Sequence, residues 1–409
     1  MNSSIKKIFT NISIRGLFVA LSKAIAFLTV PVIARAFGSE MYGQYSYVLA
    51  ISTYLLLPSN WGFLAQGIRE IAYSENTDED SAIVSNILST RIVLGLFLAG
   101  VFYLFGFLFF KTQILFLLLF AIIQDIISVS FIDYYYYGKK NVWIPSVSHF
   151  IGQVIYAILV LITIRKPNDI LILLIYMVVM VSVESLILFY FSRKKIKIHF
   201  NFSLKNAINQ FKKNFKLGMG LKTGIIQNSY PIIIIPFFLS KEILGNYSAV
   251  YKFYTITSVI MQMVILSVAP YIIKTQSMNK SKRKYYIVIY LSVALTLGAV
   301  LSGGTFVFSD VIINILFGKN FINSIEFLKW FSITILFLSP FFIALSSLMN
   351  YYSLDHEFMI GGFIQAGLVI VLSPLVLYYF NIPGLIIIIW FSMIISSCYY
   401  LYHINKNFL

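Results

Sequence analysis

The chain has 409 residues, of which 59% are hydrophobic and 11% charged, with a net charge of +16 and a mean hydropathy of +0.86. A soluble domain carries about 25% charged residues, and a chain this apolar would leave large greasy patches in water. These figures exclude a soluble enzyme, and they place the positive charge on basic loops at an anionic cytoplasmic leaflet rather than on nucleic acid.

Lys6 and Lys7 precede an apolar run that is too long for a signal peptide, so it reads as a retained first helix. A spanning helix needs about 20 mostly apolar residues. Twelve such stretches follow in chain order: 12–34, 45–65, 87–110, 113–133, 142–164, 170–191, 217–239, 246–271, 286–308, 329–351, 358–380 and 383–403. They are far longer than the alternating segments, about ten residues each, of an outer-membrane barrel, so the expected fold is an all-α polytopic membrane protein. Most of the 31 Lys and Arg fall in the even-numbered connections and the two termini, which puts both termini in the cytoplasm.

The connection 192–216 carries eight basic residues and no acid, and it sits at the centre of the chain. It divides the sequence into two six-helix halves, 1–191 and 217–409. Residues 204–215 within it read either as an amphipathic helix on the membrane surface or as plain solvated linker. A repeated phrase marks the halves. EMYGQYSYV begins at Glu40 and EILGNYSAV at Glu242, and Glu, Gly, Tyr, Ser and Val recur in register. Each copy opens the second helix of its half, and parallel repeats of this kind are common in secondary transporters. The expectation is local: the Gly makes a turn, the Tyr anchors at the interface, and neither touches substrate.

Charges inside spans are costly and are functional candidates. Lys23 lies at mid-depth of span 1, where it either holds an anionic group or pairs with an acid such as Asp125. Lys252, Lys222 and Arg91 lie near enough to span ends to snorkel. Arg35 ends span 1, and Arg69 ends span 2 at the inner face. Asp125 and Glu184 are the deepest acids; either could carry a coupling proton or neutralise a lysine. Prolines 31, 58, 145, 231, 236, 270, 340 and 374 read as kinks or hinges. One cysteine, Cys398, excludes an internal disulfide, and four scattered His show no metal spacing. GMGLKTG (218–224) lacks the Walker spacing, so no nucleotide site is encoded.

Four stretches carry a resemblance: ARAFGSEMYGQYSY (34–47), NWGFLAQGIREIA (60–72), DYYYYGKKN (133–141) and LFGKNFINSIEFL (316–328). In this order and spacing the chain resembles the polysaccharide-flippase branch of the multidrug/oligosaccharidyl-lipid/polysaccharide exporter superfamily. The resemblance departs at Asn60, where the family often has an acid. It implies two six-helix bundles forming a V around a central cavity. It implies a non-enzymatic flippase that moves undecaprenyl-diphosphate-linked O-antigen or polysaccharide repeat units across the bacterial inner membrane by alternating access. It further implies an ion gradient or membrane potential in place of a cofactor. Its partners would be the lipid-linked oligosaccharide, membrane lipids, and polymerase and chain-length proteins. Lys23, Lys252, Arg69, Arg35, Lys222 and Arg91 are then candidates for the diphosphate. A multidrug antiporter of the same fold and a membrane polysaccharide polymerase are the rival readings.

Overall fold

A computed structural model describes residues 3–268, 272–332, 337–352 and 354–408, and among them there is no β-strand. The chain divides into two compact units. One comprises 1–37 and 47–221, the other 38–46 and 222–409.

The first unit begins with α1 (Ser3–Leu55), whose helix is broken at Gly38 by a φ of 65°. A short 3-10 turn, Leu57–Asn60, leads to α2 (Phe63–Tyr73). The span expected at 45–65 is therefore not continuous. Pro58 starts the 3-10 turn, and Gly62, with a φ of 73°, adopts the left-handed conformation that lets a new helix begin. Next come α3 (Thr77–Gly106), α4 (Thr112–Val129), the short α5 (Asp133–Gly138), α6 (Trp143–Thr163) and α7 (Ile170–Ser192). Asn76 caps α3 by accepting from the Glu79 amide at 2.9 Å, and three acids in the first turn face the positive end of the helix dipole. α6 packs on α7, α4 on α7 and α2 on α5.

The basic connection has two parts, and residues 204–215, for which a helix was one of the two readings, are helical. Its first part runs extended along α3. The backbone N–H groups of Lys197, His199 and Asn201 donate to the hydroxyls of Ser81, Ser85 and Ser89 at 3.0, 2.9 and 3.0 Å. The match has a simple origin. Two residues of extended chain advance about 6.6 Å, and four residues of helix about 6 Å. Every second amide therefore meets every fourth serine. Its second part is the start of α8 (Leu204–Ile234), one helix that passes from the first unit into the second. Trp61 fixes its N-terminal half by donating its indole N–H to the Phe215 carbonyl at 3.0 Å, with its ring against Phe211 and Phe215. Gly218, from the GMGLKTG stretch, lies flat on the same indole.

Each lost serine bond should cost about 1 kcal/mol. Replacing Ser81, Ser85 and Ser89 together with alanine is expected to speed trypsin cleavage in the run Arg193–Lys197 at least tenfold. Limited proteolysis of the detergent-solubilised protein reads this directly.

The second unit continues through α9 (Lys241–Ser267), α10 (Lys280–Val307), α11 (Ser309–Leu316), α12 (Ser324–Phe331), α13 (Phe337–Tyr351) and α14 (Asp355–Phe408). The long α14 is broken at Asn381 by a φ of 54°, so it holds two spans, and the loop expected at 309–328 is largely helical. Among the described residues, seven helices are long and apolar enough to cross a membrane by length and composition, and the broken α14 counts as one of them. Pro270 lies outside the described residues. The backbone breaks with positive φ inside the long helices fall at Gly38 and Asn381 rather than at any proline expected to kink. A core of Ile265, Ile287, Ala294, Leu345, Leu348 and Tyr400 joins α9, α10, α13 and α14.

The two copies of the repeated phrase meet inside this second unit, because residues 38–46 belong to it. Gly43 and Gly245 face each other. A Cβ on Gly43 would strike the Lys241 carbonyl and come within 2.8 Å of the Gly245 nitrogen, and one on Gly245 would fall on the Ser39 carbonyl. The glycines therefore serve a backbone crossing and not the expected turn. Tyr42 packs edge-on against Phe321 at 5.7 Å, and Ser324 donates to the Asn246 side chain at 2.7 Å.

Candidate substrate and coupling site

The polar interior of the first unit gathers on α1, α3, α4, α6 and α7. Glu184, on α7, is 4% exposed and lies 3.0 Å from Nδ1 of His149 on α6. Gly152, one turn past His149, makes room for it, since a Cβ there would meet the Glu184 Oε1 at 2.9 Å. Ser185 and Ser130 share a hydrogen bond of 2.8 Å beside this pair. Lys23, exposed on α1, and Asp133 both lie within electrostatic reach of His149. Phe18 places α1 next to α6 through ring contacts with Trp143 and Phe150, each at 5.3 Å.

Lys23 does not pair with Asp125. The Asp125 carboxylate accepts from the Ser52 hydroxyl at 2.5 Å, and Lys23 has no ion pair among the described residues. An ammonium inside a span is costly against hydrocarbon and almost always faces a bundle interior or a water-filled cavity.

Arg91 departs from the expectation of snorkelling. It is 7% exposed and turns inward. It donates to the Phe131 carbonyl at 2.8 Å, the Ser59 carbonyl at 3.3 Å and the Asn60 side chain at 2.6 Å. These are the loose ends of the broken second span and of α4, and the guanidinium fork ties them together. Asn60 thus has a structural partner. Arg69 is exposed on α2 and Arg35 on α1; Lys252 is exposed on α9 and Lys222 half-buried on α8. Within the first unit, Lys23 therefore lies within electrostatic reach of His149, the partner of Glu184.

Sequence reasoning missed His149. It was set aside for want of metal spacing, although any ionisable side chain inside a span is a candidate. Among the described residues, no three His, Cys, Asp or Glu cluster in a way that could hold a metal.

Residues 8–276 match the model of a family described as polysaccharide biosynthesis protein. The chain belongs to that family. A putative O-antigen transporter from Shigella dysenteriae is 22% identical over 385 residues, covering 90% of this chain and 93% of the relative. Among solved structures, the lipid II flippase MurJ in an inward closed conformation superposes with a TM-score of 0.74 at 14% identity, covering 96% of this chain and 87% of that one. An inward-facing multidrug resistance MATE transporter of the MOP superfamily gives 0.67 at 12% identity, covering 96% and 98%. At these identities the likeness establishes the fold, an all-α architecture, and the long apolar helices fit a multi-pass membrane protein. Each of the three is named as a transporter or flippase and none as an enzyme.

In this polysaccharide biosynthesis protein the stretches that carried the resemblance are joints. Gly67 of the second lies against the Tyr134 ring of the third, and Gly138 against Ile71. Lys139 pairs with buried Asp80 at 2.9 Å. The Tyr136 hydroxyl donates to the Leu188 carbonyl at 2.5 Å.

Arg91→Lys keeps the charge but cannot reach three divergent acceptors. It is expected to lower stability by about 3 kcal/mol, on the scale of one or two charged hydrogen bonds. A fall in the thermal midpoint of the purified protein reads this, and Arg69→Lys on the exposed side of α2 should leave the midpoint in place.

Proposed function

We propose that the protein turns undecaprenyl-diphosphate-linked polysaccharide repeat units from the cytoplasmic to the outer leaflet of the bacterial inner membrane, by alternating access and with both termini in the cytoplasm. The observation that carries this reading is Lys23, a mid-span cation without an ion pair among the described residues, in a member of the polysaccharide biosynthesis family. An ammonium suits a diphosphate as a point charge. The named activities of the O-antigen transporter and of MurJ support the same reading. Arg35, Arg69, Lys222 and Lys252 are further contacts along the route of the headgroup. Glu184 with His149, or Asp125 with Ser52, is the ion-coupling group; the carboxylates change charge without any cofactor. Polymerase and chain-length proteins act on the unit after it is turned.

The experiment is the leaflet sidedness of lipid-linked sugar units in cells deleted for the gene. Accumulation on the cytoplasmic leaflet is expected. Accumulation on the outer leaflet would indicate polymerisation, and unchanged pools would move export of drugs to the front.

A further inference from the structure

The second unit contains a cavity of about 160 Å³ lined by α8, α9, α12, α13 and α14. Its wall includes Gln227, Tyr247, Tyr251, Tyr254, Phe331 and Gln365. Among the described residues, the only ionisable groups in the wall are tyrosines. The first unit's interior, by contrast, buries the charged side chains of Asp80, Arg91 and Glu184.

The wall is unusual in how its polar groups are left. Gln227 is 7% exposed and Gln365 is 5% exposed, and neither amide has a hydrogen-bond partner among the described residues. Tyr247 is 0% exposed, and its hydroxyl is also unpartnered among them. Buried amides and phenols without partners cost about 1–3 kcal/mol each. Native proteins leave few of them, and each needs a reason. Of the three, the Tyr247 hydroxyl is sealed without a partner among the described residues, while Gln227 and Gln365 line the cavity with their amides unbonded, and together they point to an occupant that completes their bonds.

The tyrosines say what kind. Tyr247 and Tyr251 stack with ring planes 3° apart and centroids 6.1 Å apart, and Tyr251 continues to Tyr254 at 6.0 Å. This is a flat aromatic wall. The Tyr254 hydroxyl is held by Ser339 at 3.1 Å, so that ring is fixed. A flat apolar face beside uncharged donors and acceptors matches a pyranose, with C–H groups on its faces and hydroxyls at its edge. An amine or phosphate would want a counter-charge, which the described wall lacks. The volume is on the scale of a single sugar ring. Tyr247 lies in the second copy of the repeated phrase, where an interfacial anchor was expected.

We propose that this cavity is a saccharide subsite, in which Gln227, Gln365 and Tyr247 bind hydroxyls of one neutral sugar residue lying against the tyrosine wall. The proposal rests on the transport reading above and adds that the sugar is recognised in the second unit. The occupant is the sugar of the transported unit, and ordered water alone is the other outcome.

The test uses the full-length protein in detergent and the free oligosaccharide released by mild acid from the cell's lipid-linked pool. Saturation-transfer NMR should show sugar protons receiving magnetisation from the wild type. The double variant Gln227→Leu/Gln365→Leu should bind at least tenfold more weakly, and Tyr247→Phe several-fold more weakly. Replacing unpaired amides with leucine should leave the thermal midpoint unchanged or raise it, which separates loss of binding from loss of fold. No transfer to the wild type, or equal transfer to the double variant, overturns the subsite and leaves water as the occupant. Failure of the transport reading is distinct. It would show as unchanged lipid-linked pools on gene deletion while the sugar still binds through the two amides.

Discussion

Gly245→Val is expected to abolish folded protein, and Gly245→Ala to lower stability by about 3 kcal/mol or more. The reason is the crossing of the two repeat copies. A Cβ at Gly245 would fall on the Ser39 carbonyl, and one at Gly43 on the Lys241 carbonyl. These obstacles are backbone and cannot rotate away. Overpacking by a methyl group against movable side chains costs about 1–3 kcal/mol, so a collision with backbone lies at or beyond the top of that range. Neighbours would have to move too: Tyr42 is wedged near Phe317 and Phe321, and Asn246 is held by Ser324. Gly303 supplies the control. Nothing lies within 4 Å of a Cβ there, and the residue sits inside α10. Gly303→Ala should be neutral or stabilise by about 0.5 kcal/mol, because alanine restricts the unfolded chain. Folded yield and thermal midpoint of the three variants decide the matter. A Gly245→Ala protein as stable as Gly303→Ala would remove the crossing as a requirement of the fold.

The second large effect is functional. Lys23→Ala is expected to cut surface polysaccharide at least tenfold at equal protein level, with the thermal midpoint unchanged. A charged hydrogen bond contributes about 1.5–3 kcal/mol, which corresponds to tenfold or more in binding. Lys23 is exposed and has no ion pair among the described residues, so its removal breaks no structural contact. Glu184→Gln should behave differently. It keeps the shape of a 4% exposed side chain but removes the charge facing His149, so transport should fall together with its response to a proton gradient. Asp125→Asn keeps a bond to Ser52 and tests the other acid. A Lys23→Ala strain with full surface polysaccharide would remove the headgroup role. Equal loss with Lys23→Arg and Lys23→Ala would show that the compact ammonium, and not charge alone, is needed.

The all-helical character and the long apolar segments were legible in the sequence, because a spanning helix must present about 20 apolar residues to lipid whatever its neighbours. The repeated phrase was legible as a repeat but not as a contact. Which glycine faces which backbone depends on how two helices cross, and no local pattern encodes a crossing point.

Arg91 was misjudged because distance along the helix measures depth, while its direction is set by three acceptors on other elements, Ser59, Asn60 and Phe131. The docking of the basic connection was not legible because it uses backbone amides. A serine ladder at 81, 85 and 89 reads only as a polar face until an extended strand lies on it. The Glu184–His149 pair joins residues 35 apart, and the cavity of Gln227, Tyr247 and Gln365 joins residues 138 apart. The sequence by itself determined a membrane-embedded helical fold, because hydrophobicity acts on each segment alone. Only the tertiary structure decided which buried polar groups found partners and which were left facing a cavity, because a hydrogen bond depends on angstroms between distant segments.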